Sequence, residues 1–521
     1  MSHCGRGVAA AMLLSPAARR LGEPRTLTRM DAAVGADTRF AVLTGRVLTP
    51  GSSGDGWWDG RCAASPVILP PLPPSRPKWQ CFYYGRPSDR WNADLPAFLP
   101  TGVSGLAESD DGLNWSRVRG PLEGGAVLRP SNEAEAFDHV HVGITDVIPQ
   151  PDGSYAALYL GGSAEEVSLG MGPGPIRGFR MRPGAATSRD GRGLVWERVA
   201  TANPLLDVGA VGAWDANFCS WPRALPLDAA RPDGEWIMTY HALAPPGADG
   251  ASAPRWAVGA AVGESGHALG PYTKLDDPVL CGGAGGTFDE AGIGTRHVVH
   301  RPDGPGLVMV YEGVGADGRH RLGLATSADG RDWAKVEGLG PDPGGPIFEG
   351  APAEEDAWDN GNVGTPWVMP LADGRWRLYY VGTSSKGRTV AIGAAEANDL
   401  FSCWERVAVS GSGLCIDERD VAGETSLILA AERGDSANVR ILLDAGADPC
   451  AVSESGWTAL HGAAECNCVP AIEMLVEAGA DVSASARSGK TPLDIALQYA
   501  RPEAAEQLIA LGASGSAGSM V

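Results

Sequence analysis

No apolar run in this 521-residue chain approaches the roughly 18 residues that a membrane-crossing helix needs, so no transmembrane segment is expected. No two of its ten cysteines stand in C-x-x-C spacing. Cys466 and Cys468 are the nearest pair and have no companion ligands close by. Metal spacing and a phosphate-cradling glycine loop are both missing, and neither a metal nor a cofactor is expected. The thiols read as reduced and mostly buried, in an intracellular protein. Positive charge is scarce: 42 basic residues face 63 acidic ones, a net charge of −21. Phosphate backbones and anionic membrane surfaces would be repelled, which sets nucleic acid aside as a partner.

Glycine and proline are plentiful instead, at 72 and 40 residues, and favour short strands joined by tight turns. The length is too great for one core, so at least two domains are expected. Residues 1–40 form an N-terminal extension with no acid before Glu23. Its Arg-bearing, Ala-rich start suits an organellar transit peptide, a short secretory apolar region or a plain disordered tail. An intracellular location follows, in a plastid or another organelle if the extension is a transit peptide.

A unit repeats through the first four-fifths of the chain. An aromatic–Asp pair is followed by small residues, an apolar run, a turn and an aromatic strand. The five aspartates are Asp59, Asp138, Asp215, Asp289 and Asp359, spaced 70 to 79 residues apart. Each unit then continues through a small-residue strand to a polar turn and a tryptophan: Trp115, Trp196, Trp333 and Trp404, with Tyr272 in the third copy. D-G and N-G dipeptides supply the positive φ that reverses a chain tightly. Four short strands per unit without helical periodicity describe a propeller blade. Five units predict a five-bladed β-propeller over residues 51–410, the inner strands being SPVIL, ITDVI, WPRAL, RHVVH and PWVMP. The tryptophans are expected to pack between blades.

Five carboxylates at the starts of the inner strands could converge on one mouth, where repulsion would raise some of their pKa values. A neutral acid beside an ionised one is what glycosidic-bond cleavage needs. A residue present in every blade is equally suited to cap a turn in every blade. Residues that break the repeat are therefore more informative: Glu312, Glu290, His139, His141, Asp146, Trp221, Arg223, Arg296 and His297. The candidate catalytic set is Asp138, Asp215, Asp289 and Glu312. The candidate substrate-binding set is Asp59, Asp359, His139, His141, Trp221, Arg223 and Arg296. An Arg at the axis could hold an anionic group, neutralise an Asp, or tie two blades together.

The W-D/F-D-initiated units with S-x-D-G-x-x-W closures, from about Gly51 to Val407, resemble the five-bladed arabinanase/levansucrase/invertase superfamily, glycosyl hydrolase 43-like. The resemblance implies a central funnel and acids from different blades acting on a sugar. The departures are specific. Asp59 is followed by Gly60 where family 43-type enzymes carry Asp-Pro, the invertase N-D-P-N, R-D-P and E-C-P strings are absent, and Glu349 in FEGAP matches the family acid only faintly.

After Val407 the pattern changes. Residues 418–515 hold three copies of G-x-T, L-x-x-A and G-A near a 33-residue period and resemble ankyrin repeats. The resemblance implies paired antiparallel helices and β-turns, with His461 bonding its own helix start. Sixteen acids and six bases from Asp417 onward suggest a basic or polar protein partner. Residues 516–521 read as a flexible tail. The expected chain is multidomain, an all-β five-bladed propeller plus a small all-α ankyrin-repeat stack. It would hydrolyse or bind a carbohydrate in the funnel and hold a protein partner on the repeats. The alternative is a non-catalytic scaffold whose two modules both bind protein.

Overall fold

The computed structural model describes residues 45–51, 56–86, 102–168, 175–200, 203–244, 255–263, 266–337, 345–352, 357–385, 390–402, 404–407, 423–444 and 447–513. The readings for residues 1–40 and 516–521, and the boundaries at 410 and 418, lie outside them. The described residues fall into two compact units, 45–407 and 423–513.

The first unit opens with β1 (Arg46–Leu48). Five antiparallel meanders follow. The first is β2 (Cys62–Leu69), β3 (Trp79–Arg86), β4 (Val103–Ser109) and β5 (Trp115–Val118). The second is β6 (His141–Pro149) and β7 (Tyr155–Gly162), a small hairpin β8 (Glu166–Val167) and β9 (Ile176–Arg177), then β10 (Met181–Ser188) and β11 (Glu197–Arg198). The third is β12 (Ser220–Pro226), β13 (Trp236–Ala244), β14 (Arg255–Gly263) and β15 (Tyr272–Lys274), with β16 (Leu280–Cys281) also on β14. The fourth is β17 (Gly292–His300), β18 (Leu307–Val314), β19 (His320–Ser327) and β20 (Ala334–Lys335). The fifth is β21 (Asn362–Pro370), β22 (Trp376–Thr383), β23 (Val390–Ala397) and β24 (Glu405–Arg406).

The predicted apolar runs form the first strand of each meander. Those strands pack in cyclic order, β2 on β6, β6 on β12, β12 on β17, β17 on β21 and β21 on β2, so the sheets are blades of a closed propeller. A single parallel bridge, Trp256 to Gly292, joins the third blade to the fourth. β1 closes the ring: it pairs with β23 beside β24, and Gly45 N–H donates to the Val407 carbonyl at 2.8 Å.

Local chemistry accounts for the blades. At the S-x-D-G turn Asp111 accepts from the amides of Leu113 and Asn114 at 2.8 Å, while Ser109 Oγ accepts from Gly112. Asp190 and Asp329 repeat this arrangement. The third strand needs glycine because the aromatic before each repeat aspartate packs on it. A Cβ at Gly105 would lie 1.9 Å from the Trp58 indole, and one at Gly323 would lie 2.5 Å from the Phe288 ring. The turn tryptophans do pack between blades. Trp115 meets Tyr379 of the fifth blade at 6.3 Å and Trp196 meets Phe82 of the first at 5.8 Å.

The second unit is three helix pairs: α1 (Ser426–Glu432) with α2 (Ser436–Asp444), α3 (Ala459–Glu465) with α4 (Val469–Glu477), and α5 (Pro492–Gln498) with α6 (Pro502–Ala510). First helices stack on first helices and second on second, the layering of ankyrin repeats. Thr425, Thr458 and Thr491 stand at the N-caps. His461 bonds Thr458 Oγ1 at 2.8 Å through Nδ1 and the Lys490 carbonyl at 3.1 Å through Nε2, a structural tie between repeats. Of the described cysteines Cys62, Cys81 and Cys219 are buried. Cys281 and Cys450 are exposed and Cys466 and Cys468 half-buried, so the expectation of mostly buried thiols fails outside that trio. No helix among the described residues is long and apolar enough to cross a membrane.

Candidate functional site

The five repeat aspartates are buried, none more than 4% exposed, and each is held inside its own blade. A tyrosine on the second strand donates to the carboxylate: Tyr83 to Asp59 at 2.7 Å, Tyr159 to Asp138 at 3.1 Å, Tyr240 to Asp215 at 3.1 Å, Tyr311 to Asp289 at 3.1 Å and Tyr380 to Asp359 at 2.9 Å. A cation from the outermost strand completes each clamp. These are Arg117 at 2.9 Å, Arg198 at 2.6 Å, Lys274 at 2.7 Å, Lys335 at 2.6 Å and Arg406 at 2.9 Å. Burial, then the adjoining carboxylate, drives the Tyr83 and Tyr380 phenols well above the usual range, so they stay donors. Charge-assisted bonds of this kind are among the stronger ones a protein makes. Among the described residues no bond or ion pair links one of these aspartates to another. Each of the five acids expected at a mouth is bonded in a clamp of its own blade.

Glu312 is buried between the fourth and fifth blades. It forms short bonds to Thr295 and His320 and accepts from the Thr365 amide at 3.2 Å. Burial would raise its pKa, but the His320 and Thr295 bonds more than offset this and hold it below the usual range. It is ionised at neutral pH. His139 Nδ1 meets the Ser131 carbonyl at 2.9 Å, and His141 Nε2 meets Gly178's at 2.9 Å, both within the second blade. Arg296 ties the fourth blade to the third, donating to Thr239, His241 and the Trp221 carbonyl. Glu349 is half exposed and pairs with Arg321.

A different set meets at the hub. Every innermost strand carries a register shift at the same level, between Ala64 and Val67, Ile144 and Asp146, Ser220 and Arg223, Ile293 and Arg296, and Gly364 and Trp367. Bulges re-aim side chains. Three place a non-glycine residue at positive φ: Ser65 at 52°, Trp221 at 49° and Thr365 at 43°. Trp221 is half-buried and reaches the first blade, donating through Nε1 to Ser65 Oγ at 3.1 Å while stacking on His241 at 5.2 Å. Eight residues after the repeat aspartate stand Asp146, Arg223, His297 and Trp367 on successive blades. Asp146 accepts the Ala224 amide of the next blade at 3.0 Å, and His297 accepts that of Val368 at 3.0 Å.

Arg223 occupies the equivalent place but has only donors, so it cannot accept an amide as its counterparts do. It extends across to the fifth blade, its guanidinium 4.6 Å from the Trp367 ring, against which His297 also stacks at 4.1 Å. Arg223 is 2% exposed and all three of its guanidinium nitrogens lack a hydrogen-bond partner. Burial pushes its pKa down to about 10, the Asp146 charge opposing, so it stays cationic at neutral pH. Burial pushes Asp146 up to about 6, with Arg223 and the Ala224 amide pulling it back. Burial, then Arg223, holds His297 well below its usual range, and burial, then Arg296, takes His241 down to about 3. The hub therefore holds one buried cation without bonds, one carboxylate near its titration point, neutral imidazoles and two indoles.

Sequence reasoning named Asp146, Trp221, Arg223, Arg296 and His297 but missed Trp367, although no other inner strand carries an indole at that place. It also missed the clamp partners. Their signal was present: a basic residue stands two places after each turn aromatic, at Arg117, Arg198, Lys274, Lys335 and Arg406.

A family model described as ankyrin repeats, three copies, matches residues 391–486 and 427–517. No curated protein sequence matches the chain. Among solved structures, one described as a complex of BT0996 with RGII is 17% identical with a TM-score of 0.47, over 71% of this chain and 95% of that one. A glycoside hydrolase is 17% identical with a TM-score of 0.46, over 73% and 99%. A third, described as a glycoside hydrolase from Parabacteroides distasonis, is 15% identical with a TM-score of 0.47, over 70% and 100%.

Proposed function

We propose that the propeller binds a carbohydrate at its hub without hydrolysing it, and that the ankyrin repeats hold a protein partner. The observation that carries this reading is the clamp. Asp138, Asp215 and Asp289 each already accept a phenol and a cation, and Glu312 is an ionised tie between blades. Hydrolysis needs one carboxyl that can give up a proton and a second that can attack or activate water, both open to substrate. The carbohydrate half of the proposal rests on the sequence resemblance to sugar-processing propellers. A second reading, a scaffold binding only proteins, is favoured by Trp221, whose bond to Ser65 spans the hub.

A glycan array and a reducing-sugar assay on the full chain test the choice. Binding without sugar release is expected. Asp138→Asn, Asp215→Asn and Asp289→Asn should each lower stability by about 1–3 kcal/mol, because each removes a charged acceptor from a buried phenol and a part-exposed cation. Sugar release by the wild type, abolished in any of the three while its melting temperature holds, would return that aspartate to catalysis. An array with no bound glycan would favour the protein scaffold.

A further inference from the structure

The bonds of Arg223 have no owner within the protein. Its counterparts Asp146 and His297 each satisfy an amide of the next blade, and Arg296, equally buried, donates to a hydroxyl, an imidazole and two carbonyls. Arg223 does none of this, although its nitrogens are removed from solvent and no carboxylate pairs with it among the described residues. Buried guanidinium groups are ordinarily paired or hydrogen-bonded, since burying an unmatched charge is costly. The ring face of Trp367 supplies attraction but no acceptor.

We infer that the hub is an oxyanion-binding site in which Arg223 takes the carboxylate or phosphate of an acidic sugar, with Trp367 behind the guanidinium. This rests on the carbohydrate-binding reading and narrows it to an anionic ligand. The planar fork of five donors suits either oxyanion bidentately. Trp221, two residues earlier on β12, closes the hub. Its indole bonds Ser65, stacks on His241 and packs on the cluster of Phe179, Met181 and Phe218, its carbonyl accepts from Arg296, and its φ is one that bulky side chains rarely adopt.

Arg223→Met in the full chain separates a ligand anchor from a structural arginine. Replacing an unpaired buried charge by an apolar side chain of similar length is expected to leave the melting temperature unchanged or raise it. Thermal melts and calorimetric titrations would use sodium galacturonate, inorganic phosphate and neutral galactose. The wild type is expected to bind galacturonate, phosphate or both saturably, with at least about tenfold weaker binding in Arg223→Met. A response to galacturonate alone identifies a sugar acid, and one shared with phosphate identifies a general oxyanion site.

Arg223→Met losing stability without ligand would make the side chain structural and overturn the inference. Galactose binding undiminished in Arg223→Met, with no response to either anion, would overturn the anion site and leave a sugar-binding propeller standing. Silence towards all three ligands would count against both.

Discussion

The aspartate at the head of each inner strand accepts bonds that never leave its blade, whereas Asp146, eight residues into the second unit, stands among groups from the third blade. The same carboxyl chemistry therefore has two outcomes, set by whether a cation bonds it directly. Asp59 has Arg117 at 2.9 Å, while Asp146 has the amides of Ala224 and Val147 and the charge of Arg223, with no ion pair among the described residues. The raised pKa of Asp146 carries a stability prediction. Its folded value, about 6, lies above the unfolded 3.8, so the folded protein holds the proton more tightly. The ionised carboxylate then penalises folding above about pH 6, and the penalty is relieved as pH falls through 6 towards 4. The stability of Asp146→Asn relative to wild type should be more favourable at about pH 7.5 than at about pH 4, by up to about 3 kcal/mol. Denaturant titrations at both pH values measure this, and a pH-independent difference would refute it.

At the scale of the element, a strand's identity lies in what its small residues admit. The third strand of each blade turns a glycine towards the aromatic that precedes the clamp aspartate, so ring, tyrosine and carboxylate pack as one layer. At Gly323 an added methyl would meet both Phe288 and the Tyr311 phenol within 2.5 Å. Gly323→Ala should therefore destabilise by about 1–3 kcal/mol, as overpacking does, despite alanine's better intrinsic strand and helix behaviour. Gly374→Ala is a useful contrast: its Cβ meets nothing within 4 Å, and only its φ of 88° resists substitution. No loss in chemical denaturation of Gly323→Ala would mean that the Phe288 and Tyr311 rings move aside for the added methyl. The clamps themselves were half legible. The aspartates and tyrosines stand in plain repeat, but the cation that neutralises each lies 46 to 60 residues downstream, too far for spacing alone to pair them.

Across the whole propeller, stability depends on joining the first residues to the last. β1 supplies a short edge to β23 beside β24 and buries Val47 and Leu48, each 4% exposed. Deleting residues 45–51 should cost about 3–6 kcal/mol from those two side chains, before any loss of ring closure. A fall in melting temperature and faster proteolysis within the fifth blade would report it; an unchanged melt would mean that the fifth blade closes without this strand.

The repeat, the strand-and-turn chemistry of the blades and the helix-pair signature after Val407 are properties of neighbouring residues, and the sequence by itself determined them. Turn dipeptides, alternating small and aromatic residues and N-cap threonines act over a few positions wherever the rest of the chain lies. Tertiary structure alone decided which charges are matched. It brought Arg117 to Asp59 and Arg406 to Asp359, gave each repeat aspartate a cation of its own, and left Arg223 beside Trp367 with no acceptor. The reason is physical: a buried charge is defined by the partners that desolvation brings within hydrogen-bond reach, and those come from strands remote in the chain.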